Sequence, residues 1–271
     1  MNINAFTVDN IPLIKKKDDI GALISERVEL QDNDIIVIAS TIVSKSEGNI
    51  VALNSIKASK EAERIASLKH IDDIEMDPRF VQLVMNESAK ILLESPFILA
   101  ETKNRHVCVN AGIDNTNIEN RFVLLLPKNP DESARRIKDQ IYKYTGKRVS
   151  IIISDTNGRA FKEGQTGVAI GIAGIAPLKD WRGKCDLFGK VLKITNEAIV
   201  DEIAGFANLL MGEGSDGTPV VVIRGLNYYE EVYGIQKLYR SDEKDVIKKA
   251  LSSSRRRPRP SRPKGATSLR Q

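Results

Sequence analysis

The chain has 271 residues, room for one large domain or two small ones, and its 41% apolar and 28% charged residues match a soluble globular protein. No apolar run approaches the roughly 20 residues of a membrane span, and the first residues lack the layout of a signal peptide. The formal charge of +5 misleads, because Arg255–Gln271 holds seven Lys or Arg and no acid, leaving a slightly acidic body of 34 basic and 36 acidic residues. Cys108 and Cys185 are isolated thiols, and His70 and His106 are too few for a histidine-based metal site. That argues against zinc and for a reducing, cytoplasmic setting.

In chain order, Asn10–Ile14 is an apolar segment containing Pro12, followed by Lys15–Lys17. Asp18–Glu29 reads as an amphipathic helix with Ile20, Leu23 and Ile24 inward. Asp34–Ser40, DIIVIAS, reads as a buried strand. Beyond it come Ser40, Thr41, Ser44, Lys45, Ser46 and Gly48, hydroxyls and a lysine suited to a nucleotide phosphate or, equally, to a capped helix start. Helices are expected over Lys57–Leu68 and Pro78–Leu93. Thr102–Asp114 then reads as a strand closing on Asp114, Asn115, Thr116 and Asn117, with Asp114 either a metal ligand or a turn former.

A strand is expected over Phe122–Leu126. Asn129-Pro130-Asp131-Glu132 supplies a cap, a first-position proline and two acids for a helix that Gly146 ends near Thr145. The most informative stretch is Ser150–Gly174. Ile151–Ile153 reads as a buried strand delivering Ser154, Asp155 and Thr156 into an Asn157-Gly158 turn, with Arg159 and Lys162 beyond. Oxygen donors beside cations suit Mg²⁺ or Mn²⁺ with a phosphate, and an Asx-capped turn is the ordinary alternative. Gly164, Gly167, Gly171 and Gly174 imply close backbone approach of a ligand or another chain, although no Walker or dinucleotide spacing occurs.

Asp180–Gly189 is turn-rich, Val191–Thr195 reads as a strand, and Asn196–Leu210 as a helix with Ile199, Ile203, Phe206, Ala207 and Leu210 on one face. Met211–Gly217 places Glu213 between two glycines, a candidate third acidic ligand, before a closing strand over Pro219–Ile223 and a possible phosphate contact at Arg224. The alternation of strands and helices implies an α/β layer structure.

Taken together, IASTIVSKSEG, VNAGIDNTN, SDTNGRAFKEGQTGVAIGIAG and NLLMGEGSDGTPVVVIRG, running collinearly from Ile11 to about Gly225, resemble the coenzyme F-420-0:L-glutamate ligase (gamma-glutamyl ligase) family of archaeal type. Ala160 and Lys162 stand where that family often has proline and arginine. The resemblance implies a mixed α/β, two-lobed fold forming an intertwined homodimer, with residues 1–251 catalytic and 252–271 a basic disordered tail. It implies GTP as co-substrate, two divalent ions (Mg²⁺ or Mn²⁺), a stimulatory K⁺, and addition of L-glutamate to the deazaflavin F-420-0, with a second glutamate by γ-linkage. By the same resemblance Ile11, Pro12, Leu13, Ile14, Ser40, Thr41, Lys45, Asn117, Met211, Gly212, Glu213, Gly214, Ser215, Asp216, Gly217 and Thr218 hold the nucleotide, and Asp114, Asp155, Thr156 and Glu213 the metals. Lys45, Asp155 and Arg159 stand closest to the chemistry. Two other readings use the same residues differently: a metal-dependent phosphatase or nucleotide hydrolase, and a nucleic-acid binder working through the arginine tail. No membrane or nucleic-acid partner is expected.

Overall fold

The computed structural model describes residues 2–71, 75–231 and 234–254. In chain order the elements are β1 (Asn4–Thr7), α1 (Ile20–Ser25), β2 (Ile35–Ala39), α2 (Ser40–Glu47), β3 (Ile50–Ala52), α3 (Lys60–Ala66), α4 (Pro78–Glu87), β4 (Ser88–Leu93), β5 (Leu99–Thr102), β6 (Val107–Val109), β7 (Phe122–Leu124), α5 (Pro130–Thr145), β8 (Ser150–Arg159), β9 (Lys162–Ala173), β10 (Lys179–Asp180), β11 (Asn196–Glu197), α6 (Ile199–Met211), β12 (Val220–Arg224) and α7 (Val246–Ser254). Among the described residues, those up to Tyr239 pack as one unit, and a second unit, from Arg240 onward, carries α7. The expected tail therefore begins inside α7, and its segment 255–271 lies outside the described residues.

The architecture is mixed α/β. A five-stranded sheet runs β1-β12-β2-β8-β9, parallel between β2 and β8 and antiparallel elsewhere. Its central strands are unbroken β-branched runs, Ile35–Ile38 and Ile151–Ile153, every residue fully buried, as expected of strands covered on both faces. Alternation sends Ile36, Ile38, Ile151 and Ile153 toward Ile137 and Ile141 of α5 and Ile20 and Ile24 of α1. Ile35, Val37 and Ile152 face Ile199, Val200, Ile203 and Ala207 of α6. A third core, with Ile65, Val81, Val84, Ile98 and Val123, is built from α3, α4 and the small sheets β4-β5-β6 and β3-β7.

Several expectations need correction. The helix over Pro78–Leu93 stops at Glu87, because Lys90–Leu93 pair with β5 and sheet formation overrides the helical pattern. The helix over Asp18–Glu29 shortens to six residues: Asp19 caps it by accepting from Ala22 N (2.9 Å), and the Arg27 guanidinium takes the Leu23 carbonyl after its last turn. Asn157-Gly158 does not turn. Both residues pair across to Thr166 and Gln165, so β8 runs on to Arg159 and the hairpin reverses at Ala160-Phe161, with Phe161 at φ 64°. Val191–Thr195 forms no strand; Val191 makes a single bridge to Cys185 inside an arm closed by β10 and β11.

Two of the dense glycines, Gly167 and Gly171, have a different cause from the one expected. A Cβ at Gly171 would stand 2.6 Å from Pro130 O of α5, and one at Gly167 2.6 Å from Ala204 O of α6. The backbones approaching β9 are therefore the chain's own helices. Those helices also close the strand's outer side: Asp131 accepts from Ile172 N and Asp201 from Ala169 N, both at 2.9 Å. Burial raises both carboxyls above their ordinary range while these amides hold them down.

Candidate active site at one edge of the sheet

Strand direction decides which predicted residues meet. β1, β2 and β8 run the same way, so the segments leaving β1 and β2 (Ile11–Ile14 and Ser40-Thr41) emerge at one edge of the sheet, beside Asp155-Thr156, where β8 continues past its pairing with β2. β12 runs opposite, so the loop that feeds it, Met211–Thr218, arrives at that edge too, where Ala39 N donates to Pro219 O (2.9 Å). Ligands of open α/β sheets sit outside such strand ends.

Asp155 is the centre of this edge. Ser40 Oγ, at the start of α2, donates to Asp155 Oδ1 at 2.8 Å across 115 residues of sequence. Enclosure pushes the Asp155 carboxyl up to about 6; the Ser40 hydroxyl pulls it down, and the nearby charges of Asp114 and Glu213 raise it further. The buried Cys108 thiol on β6 is raised by burial and by the Asp155 charge, which places β6 beside the same carboxylate. Next along β8, Thr156 faces α6 and donates to Glu213 Oε1 at 2.9 Å, and Asn208 Nδ2 of α6 donates to the same oxygen at 2.7 Å. Asp114 holds Thr116 through its backbone N–H and hydroxyl, both at 2.8 Å.

Lys45, on α2, donates to Asn117 O at 2.8 Å, so two residues expected to serve the nucleotide meet directly. In the 211–218 loop Gly212 and Gly217 take positive φ, and Thr218 Oγ1 donates to Met211 O at 3.0 Å, closing the end of α6. The segment 11–14 divides, with Ile14 buried and Leu13 exposed.

Other expected residues stand apart. Arg159 lies four residues beyond Asp155, about 13 Å at strand rise, and its guanidinium donates to Glu163 O within the hairpin. Arg224 is at the opposite end of the sheet, because β12 runs antiparallel to β2. There it grips the fully buried Asp34 through two bonds of 2.8 Å, so it is no phosphate contact. Among the described residues no group of three or more His, Cys, Asp or Glu side chains is drawn together tightly enough to hold a metal ion. Asp155 feels the charges of Asp114 and Glu213, while each of the three is held by its own hydroxyl or amide donor. Asn208 escaped the sequence reading, since an amide on an amphipathic helix carries no motif and only the fold brings it to Glu213.

The profile of the family described as F420-0:Gamma-glutamyl ligase matches residues 9–225, which span every element of this edge. The chain belongs to that family. Among curated relatives, the coenzyme F420:L-glutamate ligase of Methanosarcina acetivorans is 54% identical over 252 residues, 93% of this chain and 97% of that protein. The one from Archaeoglobus fulgidus is 48% identical over 251 residues, covering 93% and 98%. That of Haloarcula marismortui is 44% identical over 250 residues, covering 92% and 97%.

Proposed function

We propose that this chain is a GTP-dependent amide-forming ligase that joins L-glutamate to F-420-0, then adds a second glutamate by γ-linkage, releasing GDP and phosphate. The observation that carries the reading is the meeting of Ser40 with Asp155, Thr156 with Glu213 and Lys45 with Asn117 at one sheet edge, in a member of this family. A carboxylate does not condense with an amine in neutral water, so it must first be activated. Transfer of the γ-phosphoryl group to the acceptor carboxylate gives an acyl phosphate, and the glutamate amine displaces phosphate from it.

The donor set fits hard divalent cations. Asp114, Asp155, Thr156 and Glu213 offer only oxygen, and a carboxyl raised mainly by burial, and further by two neighbouring carboxylates, is a site that a cation's charge would relieve. Mg²⁺ or Mn²⁺ bound there would neutralise triphosphate charge and align the transfer. Ser40 orients Asp155, and Asn208 together with Thr156 orients Glu213. Lys45, released from Asn117, supplies a cation for charge developing on the transferred group. The 211–218 loop and the 11–14 segment flank the nucleotide, and K⁺ is expected to stimulate. A homodimer is supported by the arm between β10 and β11, where Leu187, Phe188 and Ile194 are 100%, 96% and 88% exposed.

The test is to incubate the protein with GTP, Mn²⁺, L-glutamate and F-420-0 and to look by mass spectrometry for one and then two added glutamyl units, with GDP release dependent on the deazaflavin. GDP formation at an undiminished rate without acceptor would replace the ligase with a nucleotide hydrolase.

A further inference from the structure

A cavity of about 410 Å³ opens beside this edge, lined on one side by Thr102, Lys103, Asn104 and His106 and on the other by Leu126, Pro127, Lys128 and Pro130, with Ile170 of β9 and Glu87 at the end of α4. It neighbours the site: Ile170 lies two residues along β9 from Val168, the partner of Asp155, and Asn157 Nδ2 donates to Val107 O (3.1 Å), the residue after His106. Two of its wall residues, both more than nine-tenths buried, carry polar atoms without a partner among the described residues, Thr102 Oγ1 and His106 Nε2. Buried polar atoms without partners are rare and costly, and each calls for a partner that a bound water or ligand can supply. Burial holds the His106 ring down to about 4, so it meets a ligand as a neutral hydrogen-bonding group. The mouth carries two exposed lysines: Lys128 makes no ion pair among the described residues, and Lys103 reaches Glu87 only at 3.7 Å.

We propose that this cavity seats the L-glutamate co-substrate, with Lys103 and Lys128 facing its two carboxylates, Glu87 its ammonium, and Thr102 and His106 completing its hydrogen bonds. The proposal rests on the ligase reading above. Charge count favours it, since two lysines and one carboxylate complement an α-amino dicarboxylic acid. Size favours it too: the volume sits at the small end of ligand pockets, which suits the smaller of the two organic substrates better than a tricyclic deazaflavin.

The experiment compares wild type with Thr102→Val, Lys103→Met and Lys128→Met. KM is measured for each substrate, and L-glutamate binding is read directly by saturation-transfer NMR with Mn²⁺ and a non-hydrolysable GTP analogue present. Thr102→Val keeps the side-chain shape, and the two lysines are exposed, so all three should fold, which a melt checks. Each variant should raise the glutamate KM on the order of 10-fold, the scale of a lost bond to a charged group, while the KM values for GTP and F-420-0 stay within twofold. An unchanged glutamate KM in all three, or a rise confined to F-420-0, overturns the assignment while leaving the ligase intact. If no ligation is detected, the NMR arm still decides: glutamate signals present in wild type and lost in the variants uphold the cavity, and their absence in wild type overturns it.

Discussion

Replacing Asp155 by Asn separates a residue needed for metal from one needed for the fold. The amide keeps the size of the carboxyl and can still accept the Ser40 hydroxyl, while the charge disappears. A carboxyl whose ordinary value is 3.8 and which stands at about 6 in the fold is costly to ionise. At about 1.4 kcal/mol per decade the penalty at neutral pH comes to about 3 kcal/mol at most. Because the raised value favours the protonated form, this group's stabilisation is complete below about pH 4 and lost as pH rises through about 6. Metal-free Asp155→Asn should therefore match wild type near pH 4 and melt higher than it at pH 7.5. At about 2–4 °C per kcal/mol for a chain of this size, the gain is up to about 12 °C. Added Mn²⁺ should raise the wild-type melting temperature and leave the variant nearly unmoved, and ligation by the variant should fall on the order of 100-fold or more. Paired melts from pH 4 to 8, with and without Mn²⁺, beside the glutamylation assay, measure all of this. A variant that melts lower than wild type at pH 7.5, keeps its Mn²⁺ shift and stays active would remove Asp155 from the site.

Arg224→Met should cost about 3–5 kcal/mol by leaving the Asp34 charge buried without its partner. Denaturant unfolding reads this, and KM for GTP should not change, since the pair lies at the far end of the sheet. Gly171→Ala forces a methyl toward the Pro130 carbonyl and should destabilise by about 1–3 kcal/mol or more, read as a lower melting temperature. His106, held neutral with its value near 4 against an ordinary 6.5, contributes stability that is whole above pH 6.5 and lost as pH falls toward 4, about 3 kcal/mol in all. His106→Gln should flatten that acid limb in a pH series of melts, and an unaltered limb would place the titration elsewhere. Asn208→Ala should lower metal affinity about 10-fold with the fold intact, because Glu213 would keep only its Thr156 bond.

The parts legible in the sequence were those whose signal is local. Ile35–Ile38 and Ile151–Ile153 announce central strands through β-branching alone, and Asn129-Pro130 with Gly146 brackets α5 to the residue. The acids at the edge could be nominated because each follows an apolar run in the sequence, although β8 continues past Asp155. What was not legible depends on partners distant in sequence. Ser88–Leu93 is apolar enough for a helix until β5 offers it a ladder. Asn157-Gly158 has turn chemistry, but its pairing with Gln165 and Thr166 keeps it in the strand. Arg224 resembles a phosphate contact until the antiparallel direction of β12 carries it to Asp34. Asn208 could be found only once α6 had been laid along β8.

The contact at Gly167 bears on how this site could drift or be tuned. The strand residue and the Ala204 carbonyl leave no room for a methyl, so the offset of α6 from the sheet is set where β9 meets the helix backbone itself. One turn further along α6 stands Asn208, and the helix ends where the Glu213 loop begins. A substitution at Gly167 would thus act as a spacer, moving the α6 end that carries Asn208 and leads to Glu213 away from β9 and so toward loosening the Thr156–Glu213 bond. The spacing of helix and strand beside the Thr156–Glu213 pair is in this way held at a position where only the smallest residue fits.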